Sequence, residues 1–215
     1  MQTLDERNFD LTRILYNLKQ SLDLHKVIGL NAKQIESIGV GKSFFGHVQH
    51  LAKESIAINV CKLFEIQRSY PLNSIHGILR FIQDNQISYK SIEPVKNFVQ
   101  KYGQQIEESN VIQALSLVLN DFVRKHDNDL ERFKNFRNKR LAHAENIAVT
   151  RNTFLPSPAV IKEFLDFGID FYSSVHESYM GGGPVQHEHE KRVSTSAIRL
   201  LEKIGLQDVK KEFES

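Results

Sequence analysis

The sequence predicts an all-α fold, an up-and-down bundle of about five to seven helices. Three observations carry this. Apolar residues recur at a period of three to four through most of the chain. No segment alternates at the two-residue period of a strand, and no internal repeat emerges. The breaks between periodic segments fall at glycine, proline and helix-capping residues.

Thr3-Leu4-Asp5-Glu6 has the spacing of a capping box, and Leu11, Ile14, Leu15, Leu18 and Leu22 then hold helical period to about residue 28. Asn31 to Ile38 adds a short helix before Gly39, Gly41 and Gly46 interrupt the pattern. Lys42 and Ser43 open the next helix, with Phe45, Val48, Ala52, Ile56, Val60 and Phe64 as its inner stripe. Gly41-Lys42-Ser43 is not a phosphate-binding loop, because the first glycine of that motif would fall at Glu36 and no strand precedes it.

Pro71 ends that element, and Ser74 caps a shorter helix carrying Ile75, Ile78, Leu79 and Ile82. Another helix opens at Ser91 with Pro94 in its first turn, turns Val95, Phe98, Val99 and Tyr102 inward, and closes at Gly103. The pattern resumes from Glu107 through Val111, Leu115, Val118 and Phe122. It loosens at His126-Asp127-Asn128-Asp129, which reads as a turn or kink rather than a metal site, and re-forms at once. After a polar connection over 150–157, Ser157-Pro158 starts a helix with Val160, Phe164, Phe167, Phe171 and Val175 buried to about Met180. Gly181-Gly182-Gly183-Pro184 breaks it. A last amphipathic segment carries Ile198, Leu201 and Ile204 and is too short to stand alone. The predicted organisation is a helical bundle over 1–180, a Gly/His-rich linker over 181–193, and a C-terminal helix over 194–215 that docks on the bundle or on a partner.

With 215 residues, 40% hydrophobic and 25% charged, the chain has the balance of an ordinary globular protein. Its single cysteine, Cys61, excludes an internal disulfide framework and reads as a small buried residue. The first residues lack a leader's basic and apolar regions, and no apolar run is long enough to span a bilayer, so a cytoplasmic location and no membrane partner are expected. His187-Glu188-His189-Glu190 lacks the four-residue histidine separation of a zinc-protease helix and reads as linker. The net charge of +2 predicts no general affinity for nucleic acid. Locally the balance differs: residues 124–140 hold seven basic and three acidic side chains, as a phosphate-binding surface requires.

The chemistry concentrates in Phe133-Lys134-Asn135-Phe136-Arg137-Asn138-Lys139-Arg140-Leu141-Ala142-His143. At about 100° per residue, Leu130, Phe133, Phe136, Leu141, Ala144 and Ile147 share one arc, the buried face. Arg137 and Arg140 fall within that arc, His143 at its edge, and Asn138 points away. A guanidinium cannot shed its charge on burial, so something anionic must meet it. An internal carboxylate such as Glu65, Glu107 or Glu108 would serve, and so would a ligand's phosphate.

The run from Arg137-Asn138 to His143 resembles the Arg-polar-x-His signature of HEPN domains, and its wording is closest to the AbiU-type abortive-infection branch. The resemblance implies a HEPN-like helical bundle, many of whose members are metal-independent ribonucleases working as dimers. Carried over residue by residue, it implies Arg137 as phosphate stabiliser, His143 as acid or base, and Asn138 as the group that orients them. Lys134, Lys139 and Arg140 would position RNA. The expected activity is endoribonuclease cleavage through attack of the 2′-hydroxyl, with no metal or other cofactor. The expected partners are RNA, a second copy across the motif-bearing face, and an antitoxin or regulatory protein. The competing expectation is a non-catalytic HEPN-like module that binds protein, nucleotide or RNA.

Overall fold

The computed structural model describes residues 3–39, 41–66, 72–104, 111–141, 154–181, 192–206 and 208–210, without the side chains of 140, 141 and 192–194. Within them the fold is all-α. The helices are α1 (Leu4–Leu30), α2 (Ala32–Ile38), α3 (Lys42–Phe64), α4 (Ile75–Asp84) and α5 (Glu93–Lys101), then α6 (Val111–Lys125), α7 (Asp127–Leu141), α8 (Pro158–Val175) and α9 (Arg192–Lys203). Nine α-helices among the described residues exceed the five to seven expected. Short segments such as α2 and α5 form separate helices, and α6 and α7 are divided at one residue, His126.

The helix starts follow their caps. The Thr3 hydroxyl accepts from the Glu6 N–H at 3.2 Å while the Thr3 N–H donates to Glu6 Oε2 at 2.8 Å, closing the capping box. Ser74 Oγ accepts from the Gly77 N–H at 3.1 Å and Ser157 Oγ from the Val160 N–H at 3.4 Å. Gly39 and Gly41, at φ +71° and +75°, make the left-handed break between α2 and α3, whereas Gly46 lies inside α3 and interrupts nothing. Two boundaries differ from expectation for one reason. α8 passes at Val175 into a π-helical turn, His176–Met180, whose Ser178 carbonyl accepts from the N–H groups of Lys90 (2.7 Å) and Ser91 (3.2 Å). Ser91 is thereby drawn to the end of α8, and α5 begins only at Glu93.

The two long helices α1 and α3 lie side by side; α8 packs against both, and α7 lies along α3. The predicted stripes form the core: Leu11, Leu15, Leu18 and Leu22 of α1, Ile56 and Val60 of α3, and Phe164, Phe167 and Phe171 of α8 are all buried. Phe122 stacks on Phe167 at 4.0 Å and meets Phe164 edge-on at 5.3 Å, so aromatic rings dominate the contact between α6 and α8. Gly168 lets α8 approach closely, since a Cβ there would lie 2.6 Å from Leu15 and 2.8 Å from Leu63.

A second, smaller apolar cluster joins the end of α1, α2 and the start of α3 to α9 through Val27, Ile28, Ile35, Phe45 and Leu201. Buried Asn31 fastens the chain beyond α9: its amide donates to Val27 O (2.8 Å) and Lys210 O (3.1 Å), and its Oδ1 accepts from Lys210 N (2.9 Å). No described helix is long and apolar enough to cross a membrane.

Candidate nucleic-acid site

α7 is positioned by its apolar face, as its sequence requires. Leu130, Phe133 and Phe136 are buried, Phe133 completely, with its ring edge-on to Phe164 at 5.4 Å. At its start His126 is buried between Phe122 and Phe164, with ring centroids 4.6 and 5.0 Å away. Nδ1 of His126 lies 3.6 Å from Asp129 and Nε2 lies 3.4 Å from Glu163. The backbone bonds of His126 continue the helix on both sides, from its N–H to Phe122 O and from the Leu130 N–H to its carbonyl. The loosening in the pattern at 126–129 is therefore the α6–α7 junction, and Asp129 is occupied by Arg132 at 3.2 Å. Among the described residues no three His, Cys, Asp or Glu side chains gather as a metal set.

Arg137 lies at the edge of the buried arc and is half-buried, not sealed as its place among apolar neighbours predicts. A long side chain at that edge buries its stem and keeps its head near solvent. Its Nε donates to Asn138 Oδ1 at 3.3 Å, and Asn138 itself is exposed. Among the described residues Arg137 enters no ion pair, so Glu65 is not its salt-bridge partner; Glu107 and Glu108 lie outside the described residues. Arg137 instead faces α3. Burial pushes the Cys61 thiol above its ordinary range, Arg137 and Lys134 of α7 pull it back down, and Glu65 adds to the rise. The two α7 cations and Glu65 thus act electrostatically on one buried position of α3.

The basic stretch divides in two. Arg124 pairs with Asp121 at 2.8 Å, Lys125 with Glu163 at 3.4 Å and Arg132 with Asp129, so the first half of the local charge is spent internally. Arg132 also donates to the carbonyls of Phe154 (3.2 Å) and Leu155 (2.8 Å), fastening the entry to α8 onto α7. Exposed Lys134, half-buried Lys139 and Arg137 enter no ion pair among the described residues and form the cationic part available to an anion. His143, Ala144 and Ile147 lie outside the described residues, as does the side chain of Arg140. The sequence reading did not single out Phe154, which is 58% exposed beside α7 and is the aromatic ring nearest in kind to a base-stacking group there.

A bundle of helices, with no strand among the described residues, is the fold of a HEPN domain. Within that class, residues 13–200 match the HEPN family described as AbiU2, and the chain belongs to that family. Neither a curated protein nor a solved structure matches it.

Proposed function

We propose that the protein is a metal-independent endoribonuclease of abortive-infection or toxin type. The observation that supports this reading is that Lys134, Arg137 and Lys139 of α7 enter no ion pair among the described residues, in a chain of the AbiU2 family. Cleavage would proceed by attack of the RNA 2′-oxygen on the adjacent phosphorus, with the 2′-hydroxyl proton passing to a base. The P–O5′ bond breaks, the 5′-oxygen takes up a proton, and a 2′,3′-cyclic phosphate forms. Arg137 would supply a permanent charge for the phosphorane, His143 would serve as acid or base, and Asn138 accepts from the guanidinium's Nε. Lys134, Lys139 and Arg140 position the strand. A second copy across the motif-bearing face would bring two histidines to one phosphodiester, and an antitoxin or regulatory protein would hold the activity in check.

The test is incubation of the purified protein with RNA in EDTA, with the new ends analysed. Cyclic-phosphate ends that persist in chelator and vanish in His143→Ala support the reading; cleavage lost on chelation refutes it. The competing reading, a non-catalytic binding module of the same fold, is favoured by the half-burial of Arg137 against α3. It predicts that Arg137→Ala damages folding while His143→Ala changes nothing.

A further inference from the structure

The groove between α1 and α3 lies one helix away from the α7 cations and is lined mostly by polar side chains. It encloses about 380 Å³, within the range of small-ligand sites. At its base Asn59, only 6% exposed, donates through its amide to Ser55 O (2.8 Å) and Ser55 Oγ (3.2 Å). Ser55 Oγ is itself held by the Ser21 hydroxyl at 2.7 Å. With its NH₂ donating within α3, Asn59 lines the groove with its Oδ1 as its remaining hydrogen-bonding atom, an acceptor.

The opposite wall is equally set. Asn73 donates to Asp10 Oδ2 at 2.6 Å and accepts from Arg7 Nη1 at 3.3 Å. Arg7, buried over the Phe81 ring at 4.4 Å, also donates to Leu72 O at 3.3 Å. Ile14 and Leu72 add apolar surface, and Arg13 and Lys62 stand exposed at the rim. Lys62 enters no ion pair among the described residues, and Arg13 reaches Asp10 only at 3.8 Å.

We infer that this groove binds one nucleotide of single-stranded RNA, its base between Ile14 and Leu72 with an N–H edge on Asn59 Oδ1, and its phosphate held by Arg13 and Lys62. Ile14 and Leu72 match a nucleotide's flat ring, the Asn59 amide its N–H donors and the rim cations its phosphate, while the lining carboxylates, Asp10 engaged by Asn73 and Glu65, oppose the anion. The placement agrees. α1 and α7 both pack on α3. Glu65 lines the groove and acts on the same Cys61 thiol as Arg137 and Lys134. At 8–10 Å between neighbouring helices, groove and cations lie within about 20 Å, the reach of a short oligonucleotide. The choice of RNA over another nucleotide source rests on the ribonuclease reading above.

The experiment is a titration of the full ¹⁵N-labelled chain with the four ribonucleoside 5′-monophosphates, followed at the side-chain amides of Asn17, Asn59 and Asn73. Binding of an RNA octamer in EDTA is measured in parallel against salt. Shifts at Asn59 and Asn73, weakened about tenfold in Lys62→Glu, are expected. For the octamer, Lys62→Ala should reduce the salt slope by about 0.7. Nucleotide shifts at these amides with no RNA cleavage under any condition would retain the groove and refute the ribonuclease. Cleavage with an unchanged KM in Lys62→Glu and silent Asn59 and Asn73 amides would overturn the groove and leave the ribonuclease standing. Shifts confined to α7 would overturn it equally.

Discussion

Arg137→Ala separates chemistry from architecture. The structure gives its guanidinium one long hydrogen bond, 3.3 Å to the neighbouring Asn138, and no ion pair among the described residues. A bond of that length between partly exposed groups contributes about 0.5 kcal/mol. Half-burial of the aliphatic stem contributes about another 1 kcal/mol, slightly offset by alanine's better helix propensity. The total, about 1 kcal/mol, lowers the melting temperature by roughly 2–4 °C in a chain of this size and leaves nearly all molecules folded at 25 °C. If the guanidinium meets the phosphorane, its removal lowers cleavage about 10²- to 10³-fold. Thermal unfolding and single-turnover cleavage on the same preparations provide the assay. A melting temperature that falls by more than about 10 °C, the loss expected on breaking a buried ion pair, with cleavage per folded molecule intact, would refute the argument.

Three further outcomes follow from other contacts. Burial, helped by Lys53, holds the His25 imidazole down to about 4. As pH falls through 6.5 towards 4, the unfolded chain therefore gains a proton that the folded chain refuses, and stability drops; above 6.5 the effect is absent. Urea midpoints at pH 7.5 and 5.0 should show this loss, and His25→Gln should remove part of it, leaving the part due to His76, which burial also lowers. An identical loss in His25→Gln would contradict the assignment. Asn31→Ala deletes three hydrogen bonds that hold Val27 and Lys210, a cost of about 2–4 kcal/mol. Hydrogen exchange should speed up over α9 before the α1–α3–α8 core responds, and uniform acceleration would argue against a separate cluster. In Gly77→Ala the new Cβ would sit 1.9 Å from Leu72 O, displacing the backbone that Arg7 holds. Despite a gain of about 1 kcal/mol in helix propensity, a net loss of about 1–2 kcal/mol is expected in chemical denaturation, and a stabilised variant would show that the corner yields freely.

The helices were largely legible because their causes are local. Thr3, Ser74 and Ser157 each announce a helix start, and each side chain makes the capping bond its position predicts. Leu11, Leu15, Leu18 and Leu22, and the run Leu130, Phe133, Phe136, are buried as their period demands, while Ile14 of the same stripe is half-buried at the groove. The start of α5 was misplaced because Ser91 answers to Ser178, some 90 residues away. Periodicity also set Arg137 inside the apolar arc without showing that it is only half-buried. The pairs Arg124–Asp121 and Arg132–Asp129 stand three residues apart and follow from helical spacing, but spacing could not reveal that Lys125 spends its charge on Glu163, which belongs to another helix.

By itself, then, the sequence determined that this chain is helical, where most helices begin, which faces are apolar, and which family it belongs to. Those properties depend on residues three or four positions apart, which every helix brings together. Only the tertiary structure decided which distant polar groups meet: Arg7 with Asn73, Ser21 with Ser55 near an open groove, and Lys101 with Asp170. Such meetings depend on how distant helices lie against one another, and that arrangement is settled by the burial of the whole core rather than by any one segment.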